Sequence, residues 1–350
     1  MACTRAGRER SLPPIAASRT RRCSAHAGHT STVCSTVSSG RSSQWKHPGV
    51  SSRPIRCRNL PNTPCPVRTC VRRKVRTPWR LSSHSSKRGL IHPFDSIDNT
   101  CWYCYAVEKP IVVIESGINP REWVTIPAAL NVVEQILGEQ KFLDGLEWIV
   151  VPVLNPDGYE YTRDNLRLWQ KSRSTTSHMA HVCPGVNLNR NFDLDWLHFD
   201  SSSSPCSHLY GGTEPFSEIE TEMVRSIIDS NGSKVKLYIS LQNNGGYISY
   251  PWNYERAASG MFRQHHLLGL DMIKAMNDAY VANVGSVIFD RASGTSIDYA
   301  REKGVLYTYN VDIVQGENGV VIDEEDIGGI VDDVWKAVAV AADEMIRLYV

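Results

Sequence analysis

The residues best suited to chemistry lie in a short polar loop, 119–122, with the sequence Asn-Pro-Arg-Glu. It follows an apolar run, 111–115, that predicts a short buried strand. Gly117 separates the strand from the loop, and the residues from Trp123 onward predict a helix. Open α/β sheets place their sites where a strand ends in such a loop, so we predict a site here. The alternative, from these residues alone, is an ordinary strand–helix turn.

Apolar runs of strand length alternate with helical patterns along the following residues. The predicted strands are 111–115, 146–154, 234–241 and 305–313, and the predicted helices are 123–137, 217–230, a long helix within 260–284, 296–302 and 327–349. Residues 155–158, Asn-Pro-Asp-Gly, predict a turn, and helical spacing places Ile219 and Met223 inward. The alternation predicts an α/β fold with a largely parallel or mixed, central twisted sheet flanked by helices.

The first hundred residues differ in composition from the rest. Residues 1–90 contain 19 Lys and Arg residues and one acid, which leaves 19 basic and 36 acidic residues for 91–350. Eight of the ten cysteines precede residue 105. A Ser-, Arg- and Pro-rich segment without strand or helix periodicity cannot bury enough apolar surface to offset its ordering entropy. We therefore predict a disordered basic segment, 1–104, and a globular domain, 105–350.

Three interpretations of the basic segment compete. Basic runs such as 71–76 are typical of nucleic-acid binding, and an Arg- and Ser-rich, acid-poor start is typical of an organelle transit peptide. The lack of any motif favours the third, that the segment is not a natural part of the domain, such as a misjoined exon. No apolar run is long enough to cross a membrane, and the N-terminus lacks the apolar core of a secretory signal.

Cys183 and Cys206 are the only cysteines after residue 105. Two lone cysteines that close a loop predict one disulfide, which is typical of an oxidising compartment. Two unrelated thiols are the alternative.

Short motifs follow one another in a fixed order from residue 109 to the C-terminus. They are GINPREW at 117–123, NPDGYEYT at 155–162, RLWQKSRS at 167–174, NLNRNFD at 187–193, LYGGTEPFSEIET at 209–221, YISLQNNGGYISYPW at 238–252, ASGTSID at 292–298 and YNVDI at 309–313. Together they resemble the zinc carboxypeptidase A/B family, the metallocarboxypeptidases. The resemblance implies a carboxypeptidase-like domain that acts on peptide or protein C-termini and an extracellular location, with which the lack of a signal peptide disagrees. We expect a monomer, with neither a membrane nor nucleic acid as its partner.

The resemblance assigns catalytic roles to particular positions, and most of these have changed residue type. The family's first and distant zinc-ligand histidines are replaced by Asn119 and Gln242, whereas the glutamate ligand remains as Glu122. The arginine that polarises the scissile carbonyl is replaced by Gln170, and the general-base glutamate is replaced by Asp312.

The substrate-binding positions are better preserved. Arg121, Asn189 and Arg190 match the family's substrate-binding set. The mobile tyrosine that helps to hold the terminal carboxylate is replaced by Asp290. Ile297 matches the position that shapes the side-chain pocket, which implies an apolar C-terminal side chain. The family's opening strands are missing, since no convincing strand pair precedes residue 111 except, weakly, 101–107, and we expect an unpaired sheet edge.

These replacements predict the loss of catalysis. Zinc is the cofactor of the family, but it prefers imidazole, thiolate or carboxylate ligands, so we do not expect this chain to retain it. The favoured hypothesis is a pseudoenzyme that keeps part of the pocket for C-terminal carboxylates. The alternatives are an active zinc carboxypeptidase that removes apolar C-terminal residues, with the metal rescued by another histidine, and nucleic-acid binding by the basic tail. The candidate rescuing histidines are His178, His181, His198 and His208.

Overall fold

The computed structural model describes residues 109–276 and 280–350, together with the backbone of two short strands earlier in the chain. The chain divides into two units, Met1–Trp45 and Lys46–Val350, and all described residues belong to the second. The predicted disorder of 1–104, apart from those two strands, and the weak strand 101–107 lie outside the described residues. None of the helices in the described ranges is both long and apolar enough to cross a membrane.

An eight-stranded mixed sheet forms the centre of the fold. Its strands are β1 (Val67–Arg68), β2 (Trp79–Leu81), β3 (Ile111–Ser116), β4 (Glu147–Val151), β5 (Val235–Gln242), β6 (Tyr247–Tyr250), β7 (Val281–Val284) and β8 (Tyr307–Asp312). Their order across the sheet is β1-β2-β4-β3-β5-β8-β6-β7. Strand β3 pairs in parallel with β4 and β5, and β5 pairs in parallel with β8. The predicted mixed α/β sheet is therefore confirmed.

The two earliest strands correct one sequence prediction. Strand β1 pairs antiparallel with β2, and β2 pairs antiparallel with β4, so Trp79 lies opposite Val150. The expectation that no strand pair precedes residue 111 apart from 101–107 is wrong, and β2 covers the edge of β4 that we expected to be unpaired. Strands of two and three residues are too short to show the alternation on which a strand prediction depends.

Helices cover both faces of the sheet. They are α1 (Thr125–Gly138), α2 (Gln140–Gly145), α3 (Pro156–Asp164), α4 (Ile219–Asn231), α5 (Phe262–Ala275), α6 (Gly285–Ile288), α7 (Ser296–Glu302) and α8 (Glu324–Tyr349). Apolar residues of α1, α5 and α8 pack in one buried cluster. Apolar residues of α4 and α7 pack in a second cluster against other residues of the strands. The strands are buried between these clusters, which explains their nearly continuous apolar sequences.

Two local predictions are wrong, and a third is confirmed. Residues 155–158 do not form an isolated turn but begin α3, where the Asn155 side chain accepts a hydrogen bond from the Gly158 N–H at 3.0 Å. Asparagine before a proline is also a helix start, because the proline needs no hydrogen-bond partner there. The predicted long helix within 260–284 is confirmed as α5, which ends at Ala275 before β7 begins. Ile219 is 66% exposed rather than inward, since it is the first residue of α4.

The predicted disulfide is confirmed. Cys183 and Cys206 are bonded, with their Cα atoms 4.9 Å apart and a sequence separation of 23 residues. The bond closes the segment that contains Asn189 and Arg190, so it ties together a region with little regular structure. The 3-10 helix Leu188–Arg190 is the local element that positions these two side chains.

Replacing both cysteines by alanine should lower the free energy of unfolding by about 3 kcal/mol, because the unfolded chain regains the entropy of an open loop of this length. Urea denaturation of the double variant and the wild type measures the difference. Dithiothreitol should destabilise the wild type by a similar amount and leave the double variant unchanged. Equal stability of the oxidised wild type and the double variant would contradict the prediction.

Candidate functional site

Three parallel strands end at the same edge of the sheet and place the candidate residues together. The loop 119–122 follows β3, Gln242 is the last residue of β5, and Asp312 is the last residue of β8. Gln242 and Asp312 are direct register partners. The site predicted after β3 thus lies beside the candidate residues at the ends of β5 and β8. This is the arrangement expected for the carboxyl ends of parallel strands.

Local geometry holds the loop after β3 in shape. Gly117 has a φ of 65°, in the left-handed region that glycine enters without strain. The Thr125 hydroxyl accepts from the Gly117 N–H at 3.2 Å and donates to the Glu122 carbonyl at 2.8 Å. The Glu122 N–H donates to the Asn119 carbonyl at 3.1 Å, which closes a turn. The side chains of Asn119 and Glu122 are both directed toward the end of β5. Asn119 Nδ2 donates to Gln242 there, and Glu122 accepts from the Asn243 N–H.

A set of side-chain amides, here called the amide network, links the three strand ends. Its members are Asn119, Gln170, Asn189, Gln242 and Asn310. Asn119 Nδ2 donates to Glu122 Oε1 at 3.0 Å and to Gln242 Oε1 at 3.3 Å. Gln170 Nε2 donates to Asn119 Oδ1 at 2.6 Å. The two residues that the resemblance assigns to the positions of the ligand histidines are therefore hydrogen-bonded directly to each other.

The remaining bonds extend the network along the strands. Gln242 Nε2 donates to Asn310 Oδ1 and to the Ser240 hydroxyl, both at 3.1 Å. Asn189 Nδ2 lies 3.5 Å from Gln242 Oε1, at the limit of a hydrogen bond, and Asn189 Oδ1 accepts from the Ser296 N–H at 3.1 Å. Sequence reasoning missed Asn310 and Ser240. Their only signal was position, two residues before Asp312 and Gln242 on the same faces of β8 and β5.

Two carboxyl groups are buried beside the network. Glu122 is 3% exposed and Asp312 is 2% exposed. Burial raises the pKa of Glu122 to about 7. The Asn243 N–H donates to Glu122 Oε2 at 2.9 Å and opposes this rise, because its hydrogen bond stabilises the ionised carboxylate. Burial and then the charge of Glu122 raise the pKa of Asp312 to about 8, with the Ser249 hydroxyl opposing. The pair is therefore not fully ionised at pH 7.

The residues that the resemblance assigns to the metal position do not fit zinc. Of the three ligand positions only Glu122 has a group that zinc prefers, and the two amides satisfy each other by a hydrogen bond. No group of three or more His, Cys, Asp or Glu side chains within the described residues could hold a metal ion. The four histidines considered as rescuing ligands, His178, His181, His198 and His208, are exposed.

Arg190, which the resemblance predicts to bind substrate, has an internal partner. Arg190 donates from Nε to the Asp200 carbonyl at 2.6 Å, pairs with the Asp200 carboxylate, and donates to the Asn189 carbonyl at 2.8 Å. The Arg190 side chain is 14% exposed, against 41% for Asp200. These bonds use three of the five N–H groups that a guanidinium presents. Asp200 was not predicted, because its ten-residue separation from Arg190 follows no regular period.

The other predicted site residues differ in access. Arg121 is half-buried, and its Nε has no hydrogen-bond partner among the described residues. Ile297, at the start of α7, is fully buried in the second apolar cluster. Asp290 is exposed, and it does not join the amide network through any hydrogen bond found in the described ranges.

Known proteins of one family resemble this chain in sequence. Residues 104–337 match the zinc carboxypeptidase family. The chain belongs to this family. Carboxypeptidase B of Helicoverpa zea is 34% identical over 249 residues, which make up 67% of this chain and 58% of that protein. The chain thus spans little more than half the length of that relative.

Two solved carboxypeptidase-family structures have the same fold. Carboxypeptidase A of Helicoverpa armigera has a TM-score of 0.69 at 28% identity, and the match covers 77% of this chain and 65% of that one. Bovine thrombin-activatable fibrinolysis inhibitor, solved with a tick carboxypeptidase inhibitor, has a TM-score of 0.66 at 30% identity, covering 68% of this chain and 83% of that one. The fold and the family are therefore established together.

Replacing Asp312 by asparagine should stabilise the protein increasingly as the pH rises from about 4 to about 8. The folded-state pKa of Asp312 is raised from its ordinary 3.8 to about 8. Ionised Asp312 therefore lowers the free energy of unfolding, an effect that is absent below the ordinary pKa of 3.8 and complete above the folded-state pKa of about 8. Urea denaturation in metal-free buffer at several pH values measures the difference between Asp312→Asn and the wild type. A difference that does not change with pH would contradict the prediction.

Proposed function

We propose that this protein is a zinc-independent member of the carboxypeptidase family that binds the C-termini of peptides or proteins without hydrolysing them. The observation behind the proposal is the direct hydrogen bond between Asn119 and Gln242, at the positions of the two ligand histidines. Members of the family act on peptide C-termini, and the proposal keeps that class of partner while removing the reaction.

Several features of the site argue against hydrolysis. A neutral Gln170 cannot supply the positive charge that a developing oxyanion requires, a contribution of about 3 kcal/mol or more in other enzymes. Asp312 is one methylene shorter than the family's glutamate, and its raised pKa keeps it largely protonated at pH 7, where it cannot accept a proton. Without a bound zinc, the attacking water would also keep a pKa near that of bulk water.

Other features support binding of a C-terminal carboxylate. Asn189 and Arg190 are adjacent on one 3-10 helix, and two N–H groups of Arg190 remain for a ligand after its internal bonds. Charge-assisted hydrogen bonds of this kind need no metal. The resemblance to the family assigns Ile297 to the side-chain pocket, and an aliphatic residue there would suit an apolar last residue. Bovine thrombin-activatable fibrinolysis inhibitor, a structural relative, has been solved with a protein inhibitor bound, which supports a protein partner for this chain as well.

Family membership favours one alternative, an active zinc carboxypeptidase that removes apolar C-terminal residues. That alternative requires a ligand set other than the one at the ends of β3 and β5. Nucleic-acid binding by the basic segment concerns residues outside the described ranges. The disulfide supports an extracellular location, because such bonds persist in oxidising compartments. We propose a monomer.

The full chain should retain almost no zinc after dialysis against metal-free buffer and addition of one equivalent of zinc. The double variant Asn119→His/Gln242→His should retain about one zinc per chain, because it restores two imidazoles beside Glu122. Atomic absorption after gel filtration measures the stoichiometry.

A matched control places histidines at exposed positions away from the site, in Gln140→His/Asn318→His, and should retain no more zinc than the wild type. One tightly held zinc in the wild type, together with release of an apolar C-terminal residue from a peptide, would establish the active alternative and reject the proposal.

A fluorescent peptide that ends in leucine with a free carboxylate should bind to the zinc-free protein and bind more weakly when its C-terminus is amidated. Arg190→Gln should weaken binding of the free-carboxylate peptide by roughly tenfold or more, since it removes a charge-assisted hydrogen bond. Asp200→Asn should tighten it, because the arginine loses its internal competitor. Fluorescence anisotropy measures these affinities.

The control is Arg225→Gln, which removes an exposed arginine on α4 that pairs with Glu222 and Asp229, and it should leave the affinity unchanged. Equal binding of the amidated and free-carboxylate peptides would show that the C-terminal carboxylate is not recognised.

A further inference from the structure

One short motif of the chain lies outside the candidate site. Residues 231–233 are Asn-Gly-Ser, and this is the only place in the sequence where asparagine is followed, after any residue except proline, by serine or threonine. This spacing is the acceptor pattern for N-linked oligosaccharides, which are attached at the surface of secreted proteins. Because a three-residue match also arises by chance, the structure around the motif decides its meaning.

The structure places this motif in an exposed turn. Asn231 is the last residue of α4, and Gly232 leaves the helix with a φ of 49°, in the left-handed region. Gly232 and Ser233 are exposed, and Asn231 is partly exposed. A Cβ atom at Gly232 would have no neighbour within 4 Å. The space beside the turn is therefore open to a bulky group.

The hydrogen bond of the Asn231 amide nitrogen tolerates a substituent. Nδ2 donates to the Ile227 carbonyl, one turn earlier on α4, at 2.6 Å. An asparagine amide has two N–H groups, and attachment of a sugar removes only one of them. The other N–H can keep the bond to Ile227. The modification is therefore compatible with the folded end of α4.

The motif and the candidate site lie at opposite ends of one strand. The motif precedes β5, which begins at Val235, whereas Gln242 at the other end of β5 contacts Asn119. The eight residues of β5 separate the two ends by roughly 25 Å, at ~3.3 Å per residue. An oligosaccharide on Asn231 would therefore be attached far from the amide network.

We propose that Asn231 is an attachment site for an N-linked oligosaccharide. Asn231 Nδ2 forms a bond to the anomeric carbon of an oligosaccharide that is carried on a lipid diphosphate. The bond from that carbon to the diphosphate oxygen breaks, the lipid diphosphate leaves with the bonding electrons, and one Nδ2 proton passes to the transferase. The inference goes beyond peptide binding and rests on the extracellular location proposed above, which the Cys183–Cys206 disulfide supports.

The test expresses the full chain behind a cleavable secretion leader in cultured eukaryotic cells. Disulfide-bonded protein is collected from the medium and from the secretory compartments. Peptide-N-glycosidase F should lower its apparent mass. In water enriched in oxygen-18, the same enzyme should leave a labelled aspartate at position 231, as mass spectrometry of peptides measures. The exposed Asn318, which also precedes glycine but is followed by no serine or threonine, reports spontaneous deamidation and should remain unlabelled.

Two variants of Ser233 separate the motif from the fold. Ser233→Ala removes the hydroxyl that the acceptor pattern requires and should abolish the mass shift, whereas Ser233→Thr keeps a hydroxyl and should retain the shift. Ser233 is exposed, so both variants should keep the disulfide and the stability of the wild type. Asn318→Gln is the control at an exposed asparagine outside the motif and should leave the mass shift unchanged.

Two results would overturn the proposal. The first is disulfide-bonded wild-type protein whose mass does not change on treatment with the glycosidase. The second is an unchanged mass shift in Ser233→Ala, because the oligosaccharide would then be attached elsewhere. Binding of the fluorescent peptide that ends in leucine is measured separately and should be equal in Ser233→Ala and the wild type. Failure of peptide binding is therefore distinguishable from failure of glycosylation.

Discussion

One side-chain amide connects the parts of this site. Asn119 donates from Nδ2 to the carboxylate of its own loop and to Gln242 at the end of β5, and its Oδ1 accepts from Gln170 in a distant segment. A small neutral group at this position satisfies neighbours that come from three separate parts of the chain. Because buried polar groups are costly when unpaired, the packing of the loop, of β5 and of the segment around Gln170 depends on these bonds.

The amides cannot fully replace a cation in electrostatic terms. A bound metal would stabilise the ionised forms of Glu122 and Asp312, whereas hydrogen bonds from neutral amides only partly offset the cost of burial. The pKa values of about 7 and about 8 are the consequence. Protonation therefore lowers the cost of burying these two carboxyl groups.

The internal pair of Arg190 and Asp200 bears on the proposed recognition of a C-terminal carboxylate. An arginine that recognises a terminal carboxylate must be fixed in position but not fully neutralised. Asp200 fixes it through a backbone carbonyl and a carboxylate. In the proposed function, a C-terminal carboxylate would therefore compete with this partly exposed acid for Arg190.

The amino-acid sequence by itself determined the family, the α/β class, the disulfide and the positions of the candidate residues. These follow from local patterns: apolar runs, helical spacing, two lone cysteines and ordered motifs such as the one around Glu122. The short strands β1 and β2, the strand β7 and the helix start at Asn155 were missed because pairing partners distant in the chain decide them. Only the tertiary structure showed that Gln170 bonds Asn119, that Asn310 bonds Gln242 and that Asp200 pairs with Arg190. Side chains far apart in sequence meet according to strand register and loop path, and neither leaves a periodic signal in the sequence.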